Sequence, residues 1–102
     1  MNLVEQNIEV IQHLCAKHKV ARLFVFGSVL TNQFKNNSDL DFVVDFKGVN
    51  HYDYADNYFD FKFSLENLFQ REIDLLEDKA INNPYLRMTI DSTKQLVYGK
   101  RN

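Results

Sequence analysis

The segment Asp39 to Phe46 alternates in the way a half-buried β-strand does. Leu40, Phe42, Val44 and Phe46 fall on one face, and Asp39, Asp41, Val43 and Asp45 on the other. The strand opens with two carboxylates one residue apart, directly behind the polar turn Lys35-Asn36-Asn37-Ser38. Upstream, Arg22-Leu23-Phe24-Val25-Phe26 is a short aromatic and β-branched run, read as a buried strand that Gly27 ends. Strand, small-residue turn and acid-tipped strand together place Asp39 and Asp41 at the rim of a sheet.

Two like charges on one strand face repel and are costly to desolvate. A fully solvated pair is one resolution. A divalent cation is the other, and magnesium takes carboxylate oxygens, water and substrate phosphates in preference to an all-protein cage. The preceding Gly27-Ser28 favours the cation. Gly27 lets a phosphate approach the backbone, Ser28 offers a hydroxyl, and the amides of a following helix start are free donors. A third carboxylate sits within a strand read over 71–76. There Glu72, Asp74 and Leu76 share one face, with Ile73 and Leu75 on the other. If that strand lies beside the first acidic one, Asp74 joins Asp39 and Asp41 as general base for an incoming hydroxyl, and could share a second metal. Glu72 points the same way, and spacing alone does not exclude it. Asp45 reads as peripheral, and Glu77 and Asp78 as parts of an exposed turn.

The rest of the chain supplies a scaffold. Leu3, Ile8, Ile11, Leu14 and Cys15 predict an amphipathic helix over 2–18, with Cys15 in the core and His13 and His18 on its surface. Ser28 is placed to cap a short helix through about Gln33. Residues 47–53 read as a loop around Gly48, and Asp53 as the cap of a helix over 54–69. That helix carries Tyr54, Tyr58, Phe61, Leu65 and Leu68, with Phe59, Phe63 and Phe69 added. The stripe is wider than one core contact needs, so part of it is a candidate partner surface. Asn83-Pro84 starts a helix running to about Asp91, Gln95 to Tyr98 forms the last strand, and Gly99 to Asn102 is a tail. The result is one α+β domain over 1–102 in the order α-β-α-β-α-β-α-β.

Composition narrows the class. With 12 Lys and Arg against 14 Asp and Glu, the net charge of -2 argues against a dedicated nucleic-acid binder. No apolar run is long enough for a membrane span and no secretory signal is visible, which makes the cytoplasm the expected compartment. One cysteine and three scattered histidines give neither a disulfide nor a zinc pattern.

The stretches Leu23-Phe24-Val25-Phe26-Gly27-Ser28 and Ser38-Asp39-Leu40-Asp41-Phe42-Val43-Val44, followed by Ile73-Asp74-Leu75, resemble the minimal nucleotidyltransferases of the DNA polymerase β-like superfamily. The resemblance runs from the leading helix to the final strand. It implies a small mixed sheet with flanking helices, the polymerase β palm-like fold. It also implies two Mg2+ ions and transfer of a nucleoside monophosphate from ATP or another NTP. On that template Gly27 and Ser28 bind the triphosphate, Asp39 and Asp41 hold the metals, and Asp74 activates the acceptor. Relatives of this size are often antitoxins of all-helical HEPN proteins, and several are thought to adenylylate a tyrosine on that partner. A chain this short has no room for an acceptor-binding domain, so a second subunit presenting the hydroxyl fits. Self-association stays open.

One departure bears on activity. Many relatives carry arginine and glycine three and four residues after the serine, where this chain has Thr31 and Asn32. The missing guanidinium removes a phosphate contact, for which Lys35 could compensate in part. Three readings follow: an active adenylylating enzyme, a catalytically weak or inactive antitoxin of the same fold that acts by occlusion, and an enzyme acting on a small-molecule hydroxyl.

Overall fold

The computed structural model describes residues 2–100; Met1 and the last two residues of the expected tail, Arg101 and Asn102, lie outside it. Four strands, β1 (Val20–Phe26), β2 (Leu40–Phe46), β3 (Ile73–Glu77) and β4 (Gln95–Tyr98), form one sheet in the order β3-β2-β1-β4. β1 runs antiparallel to β2 and β4, while β2 and β3 are parallel. The parallel pair requires a crossover, which the helix α3 (Tyr54–Phe69) supplies.

The sequence-predicted first helix is two. α1 (Leu3–Gln6) and α2 (Ile8–Lys17) meet at Asn7, whose φ of -117 is not helical. Its side-chain amide donates to the Leu3 carbonyl at 2.9 Å, drawing that oxygen into a local bond. The expected helix from Ser28 to Gln33 is only a 3-10 turn over Gly27–Leu30, and Ser28 lies inside it without capping anything. The order is therefore α-α-β-β-α-β-α-β. Asp53 does not cap α3 through its side chain. Asn50 caps the preceding turn instead, accepting from the Asp53 amide at 3.0 Å. Asn83 does cap α4 (Pro84–Thr93), accepting from the Tyr85 and Leu86 amides.

The sheet buries two unequal faces. On one, Ile11 and Cys15 of α2 and Phe61, Leu65 and Phe69 of α3 pack on Leu23, Val25, Leu40, Phe42, Val44, Ile73, Leu75 and Val97. Here Cys15 is core, and burial pushes its thiol up to about 12. His18, expected on the surface, is also buried. Its Nδ1 is 2.8 Å from the Leu14 carbonyl and its ring lies 5.5 Å from that of Phe61. The opposite face is covered only by α4, through Ile90 against Phe24 and Val43, with Phe26, Leu76, Ile81 and Leu96 around them. Alternation along β2 sends Phe42 to the first face and Asp41, Val43 and Asp45 to the second.

Candidate active site

The pairing of β2 with β3 decides which carboxylates meet. In parallel register Leu40 stands beside Ile73 and Asp41 beside Asp74. Facing residues of one sheet point the same way, so the Asp41 and Asp74 carboxylates project together on the α4 side, at the end where β1 hands over to Gly27. Glu72, the sequence-level competitor of Asp74, lies one residue ahead of β3, where its carbonyl accepts from the Leu40 amide at 3.3 Å.

Asp39 is exposed and sits just before β2, Asp41 is half-buried, and Asp74 is exposed. The Asp41 carboxyl is pushed up from 3.8 to about 6. Burial is the leading cause, followed by the charges of Asp74 and Asp39 and a side-chain hydrogen bond with Asp74. Asp41 thus feels the charges of the two other acids predicted from sequence.

Phe26 pairs across the ladder with Asp41, and Gly27 follows it. Gly27 is needed for two reasons. Its φ of +83 is a conformation that side-chain-bearing residues rarely adopt, and a Cβ there would run into the Asp41 carboxylate. The 3-10 turn that Gly27 opens is closed by Thr31. The Thr31 amide and hydroxyl both donate to the Ser28 carbonyl, at 2.9 and 2.8 Å, and the hydroxyl oxygen accepts from the Gln33 amide at 3.2 Å. Thr31 is therefore a turn lock here. Lys35 is exposed, and its backbone amide donates to Ser38 Oγ at 3.0 Å.

Beside Gly27 and Ser28 opens a cavity of about 640 Å³. Phe26 and Leu30 give it apolar walls; Thr31, Gln33, Thr89, Thr93 and Gln95 line it with hydroxyls and amides, and no charged side chain lines it. The size and the neutral lining suit an uncharged ring system. Sequence reasoning missed the contributions of Gln33, Thr89, Thr93 and Gln95. Thr89, Thr93 and Gln95 lie more than sixty residues beyond the Gly-Ser turn, and no local pattern marks them.

Among the described residues no three His, Cys, Asp or Glu side chains already form a ligand cage. Magnesium does not need one, because it is commonly held by one or two carboxylates with substrate phosphates and water completing the shell. The donor set is all oxygen, and the raised Asp41 carboxyl marks a place where added positive charge is favourable. The residues present therefore fit magnesium.

The family profile described as "Polymerase beta, Nucleotidyltransferase" matches residues 9–102. The chain belongs to that family. Two relatives from Methanocaldococcus jannaschii carry the name "Putative protein adenylyltransferase". One is 32% identical over 82 residues, covering 80% of this chain and 79% of that protein. The other is 34% identical over 83 residues, covering 80% and 84%. A solved structure described as a putative minimal nucleotidyltransferase is 28% identical, with a TM-score of 0.74 and coverage of 93% and 95%. A toxin-antitoxin structure with AMP-PNP superposes with a TM-score of 0.71 at 17% identity, covering 93% of this chain and 75% of that one, which establishes a shared fold. In this nucleotidyltransferase the mixed four-stranded sheet implied by the sequence resemblance is present. Among the described residues no helix is long and apolar enough to cross a membrane.

Proposed function

We propose that this nucleotidyltransferase moves AMP from ATP to a hydroxyl on a helical HEPN-type protein, a tyrosine of that partner, and so acts as its antitoxin. The observation that carries the proposal is the meeting of Asp41 and Asp74 in one register beside Gly27-Ser28 and the neutral cavity. Two further points support it: the naming of the M. jannaschii relatives as protein adenylyltransferases, and solved relatives of the same fold in complexes, one of them described as a tri-AMPylated HEPN toxin with an MNT antitoxin.

In this reading the acceptor oxygen attacks the α-phosphorus as its bond to the bridging oxygen breaks, and pyrophosphate leaves. Asp74, exposed at the rim, takes the hydroxyl proton. Asp39 and Asp41 would hold the magnesium ions, which supply neutralisation of the phosphate charge. Gly27 keeps the backbone open to the triphosphate, and Ser28 offers a hydroxyl to it. The base and ribose occupy the neutral cavity. An amide there presents a donor and an acceptor together, the pair that adenine offers in return, whereas guanine is matched best by a cation. Gln33 and Gln95 are the amides available.

The test is intact mass of the protein co-expressed with its partner, with and without ATP and magnesium. The partner gains the mass of one or more AMP groups, and Asp41→Asn abolishes the gain in a chain that still folds. Unchanged masses of both proteins with every nucleotide tried would refute transfer. Thr31 and Asn32 keep the occlusion reading alive. A double variant Asp39→Asn, Asp41→Asn that still neutralises the partner fully would establish it. Pyrophosphate release with small hydroxyl acceptors alone would point to the small-molecule reading.

A further inference from the structure

Asp39 lies outside the ladder at the end of an irregular stretch, residues 31–39, yet it must meet Asp41 and Asp74 at a fixed place. Arg71, two residues ahead of β3, is what reaches that stretch. Its Nη1 donates to the Ser38 carbonyl at 2.8 Å and to the Lys35 carbonyl at 3.2 Å. Its guanidinium lies 4.6 Å from the centre of the Phe34 ring, which itself packs on the main core. The Ser38 carbonyl and the Asp39 amide belong to one planar peptide unit, so a bond to that oxygen orients the plane carrying the Asp39 Cα. On the other side of Asp39, the Leu40 amide is tied to the Glu72 carbonyl at 3.3 Å. Residues 71 and 72 therefore grip Asp39 from both flanks, three and two positions ahead of Asp74.

We infer that Arg71 is a positioning residue, which sets the first metal-binding carboxylate in register with the third through the Ser38-Asp39 peptide. The inference rests on the proposed reading of Asp39 as a metal ligand. The Arg71 Nε is buried with no hydrogen-bond partner, so the guanidinium tolerates one unmet donor to keep its Nη1 on the two carbonyls. Both bonds leave one nitrogen, so a lysine ammonium with three N–H donors can serve the same carbonyls, but it lacks the planar stacking surface over Phe34.

The experiment compares the full-length wild type with Arg71→Lys and Arg71→Met. Three quantities are read: Mn2+ affinity in the presence of AMP-PNP, the Asp39 backbone amide signal in a nitrogen-proton correlation spectrum, and the thermal midpoint. Arg71→Met weakens Mn2+ binding by about tenfold, as loss of a group that orients a metal ligand does. It also displaces the Asp39 signal, because the peptide loses the bond on its carbonyl. Arg71→Lys recovers part of both effects. A lowered midpoint with wild-type Mn2+ affinity and an unmoved Asp39 signal overturns the inference and leaves Arg71 as scaffold only. Wild type that binds no Mn2+ refutes the metal reading instead. In that case the Asp39 signal alone decides whether Arg71 positions that peptide.

Discussion

The two faces of the sheet are built on opposite plans. Among the described residues, the face under α2 and α3 is closed by sixteen buried apolar ones, whereas α4 covers the other face with a core of three, Phe24, Val43 and Ile90. Around those three, beyond the partly buried Phe26, Leu76, Ile81 and Leu96, lie ion pairs. Arg87 bonds Asp78 at 2.8 Å, Arg22 bonds Asp45 at 3.0 Å, and Lys94 bonds Asp91 at 2.9 Å while lying over the Phe24 ring. One face thus supplies most of the apolar burial that holds the chain folded. The other is polar and thinly covered, and it carries the acids and the neutral cavity. Carboxylates that must stay accessible cannot share a face with a dry core, because burying them unpaired costs several kcal/mol. The β2 alternation gives each face what it needs from one strand.

The sharpest way to break this contrast is to remove equivalent bulk from each side. Phe61 is fully buried on the closed face, so Phe61→Ala should cost about 3–5 kcal/mol, read as a large fall in the denaturation midpoint and loss of soluble protein. Ile90 is also fully buried, but on the thin face. Ile90→Ala should cost about 2 kcal/mol, at the low end for such truncations because α4 can resettle. Its larger consequence is local: Thr89 and Thr93 shift at the cavity wall, and AMP-PNP affinity measured by calorimetry falls more than stability does. Equal losses of affinity per unit of stability in both variants would mean that the two faces are not separable.

Legibility in the sequence followed the same division. The period-two pattern of β2 and the apolar runs of β1 and β3 exposed the closed face, since a buried strand must show its alternation or its density. Asp39 and Asp41 were found because they stand two apart where one alternating segment begins. What stayed hidden was set by tertiary partners. Asp74 could be separated from Glu72 only by the β2–β3 register, which no local pattern carries. His18 looked like a surface helix residue until Phe61, more than forty positions away, packed on it. The helix expected after Ser28 shrank to one turn because the Thr31 hydroxyl closes it early, a competition of side chain against backbone that propensity does not count. Glu77 and Asp78 were read as an exposed turn, but Glu77 completes β3 and Asp78 is the anchor of Arg87.

Asp41 sharpens the contrast through pH. Its folded carboxyl titrates at about 6 against 3.8 for a free one, so between those values the native state binds the extra proton and stability falls as pH rises. Above pH 6 the metal-free protein carries the full penalty of an ionised Asp41, and below about pH 4 it carries none. Asp41→Asn should therefore stabilise the metal-free chain by about 1 kcal/mol at pH 7.5, a gain that fades between pH 6 and 4. Wild-type Mn2+ affinity should fall over the same interval, because the ligand must be ionised. Urea denaturation across pH and Mn2+ titration check the two halves. A pH-independent difference between wild type and variant would show that neither burial nor the neighbouring acids raise the Asp41 carboxyl.

The smallest stability change is expected where the closed-face helix turns outward. Phe59 and Phe63 of α3 stack with ring centres 5.9 Å apart, yet they remain 47% and 57% exposed, beyond the residues that face the sheet. Replacing both with serine removes little buried area, so stability should change by no more than about 0.5 kcal/mol. The same pair is the part of the apolar stripe that the core does not use, and it is available to the partner invoked for function. Co-purification of the tagged double variant with its co-expressed partner should fall well below wild type while the thermal midpoint holds. Undiminished co-purification would move the partner surface to α4, where Tyr85 and Met88 are 79% and 67% exposed. The thin face would then hold both the acids and the protein that receives the nucleotide, and the closed face would be scaffold throughout.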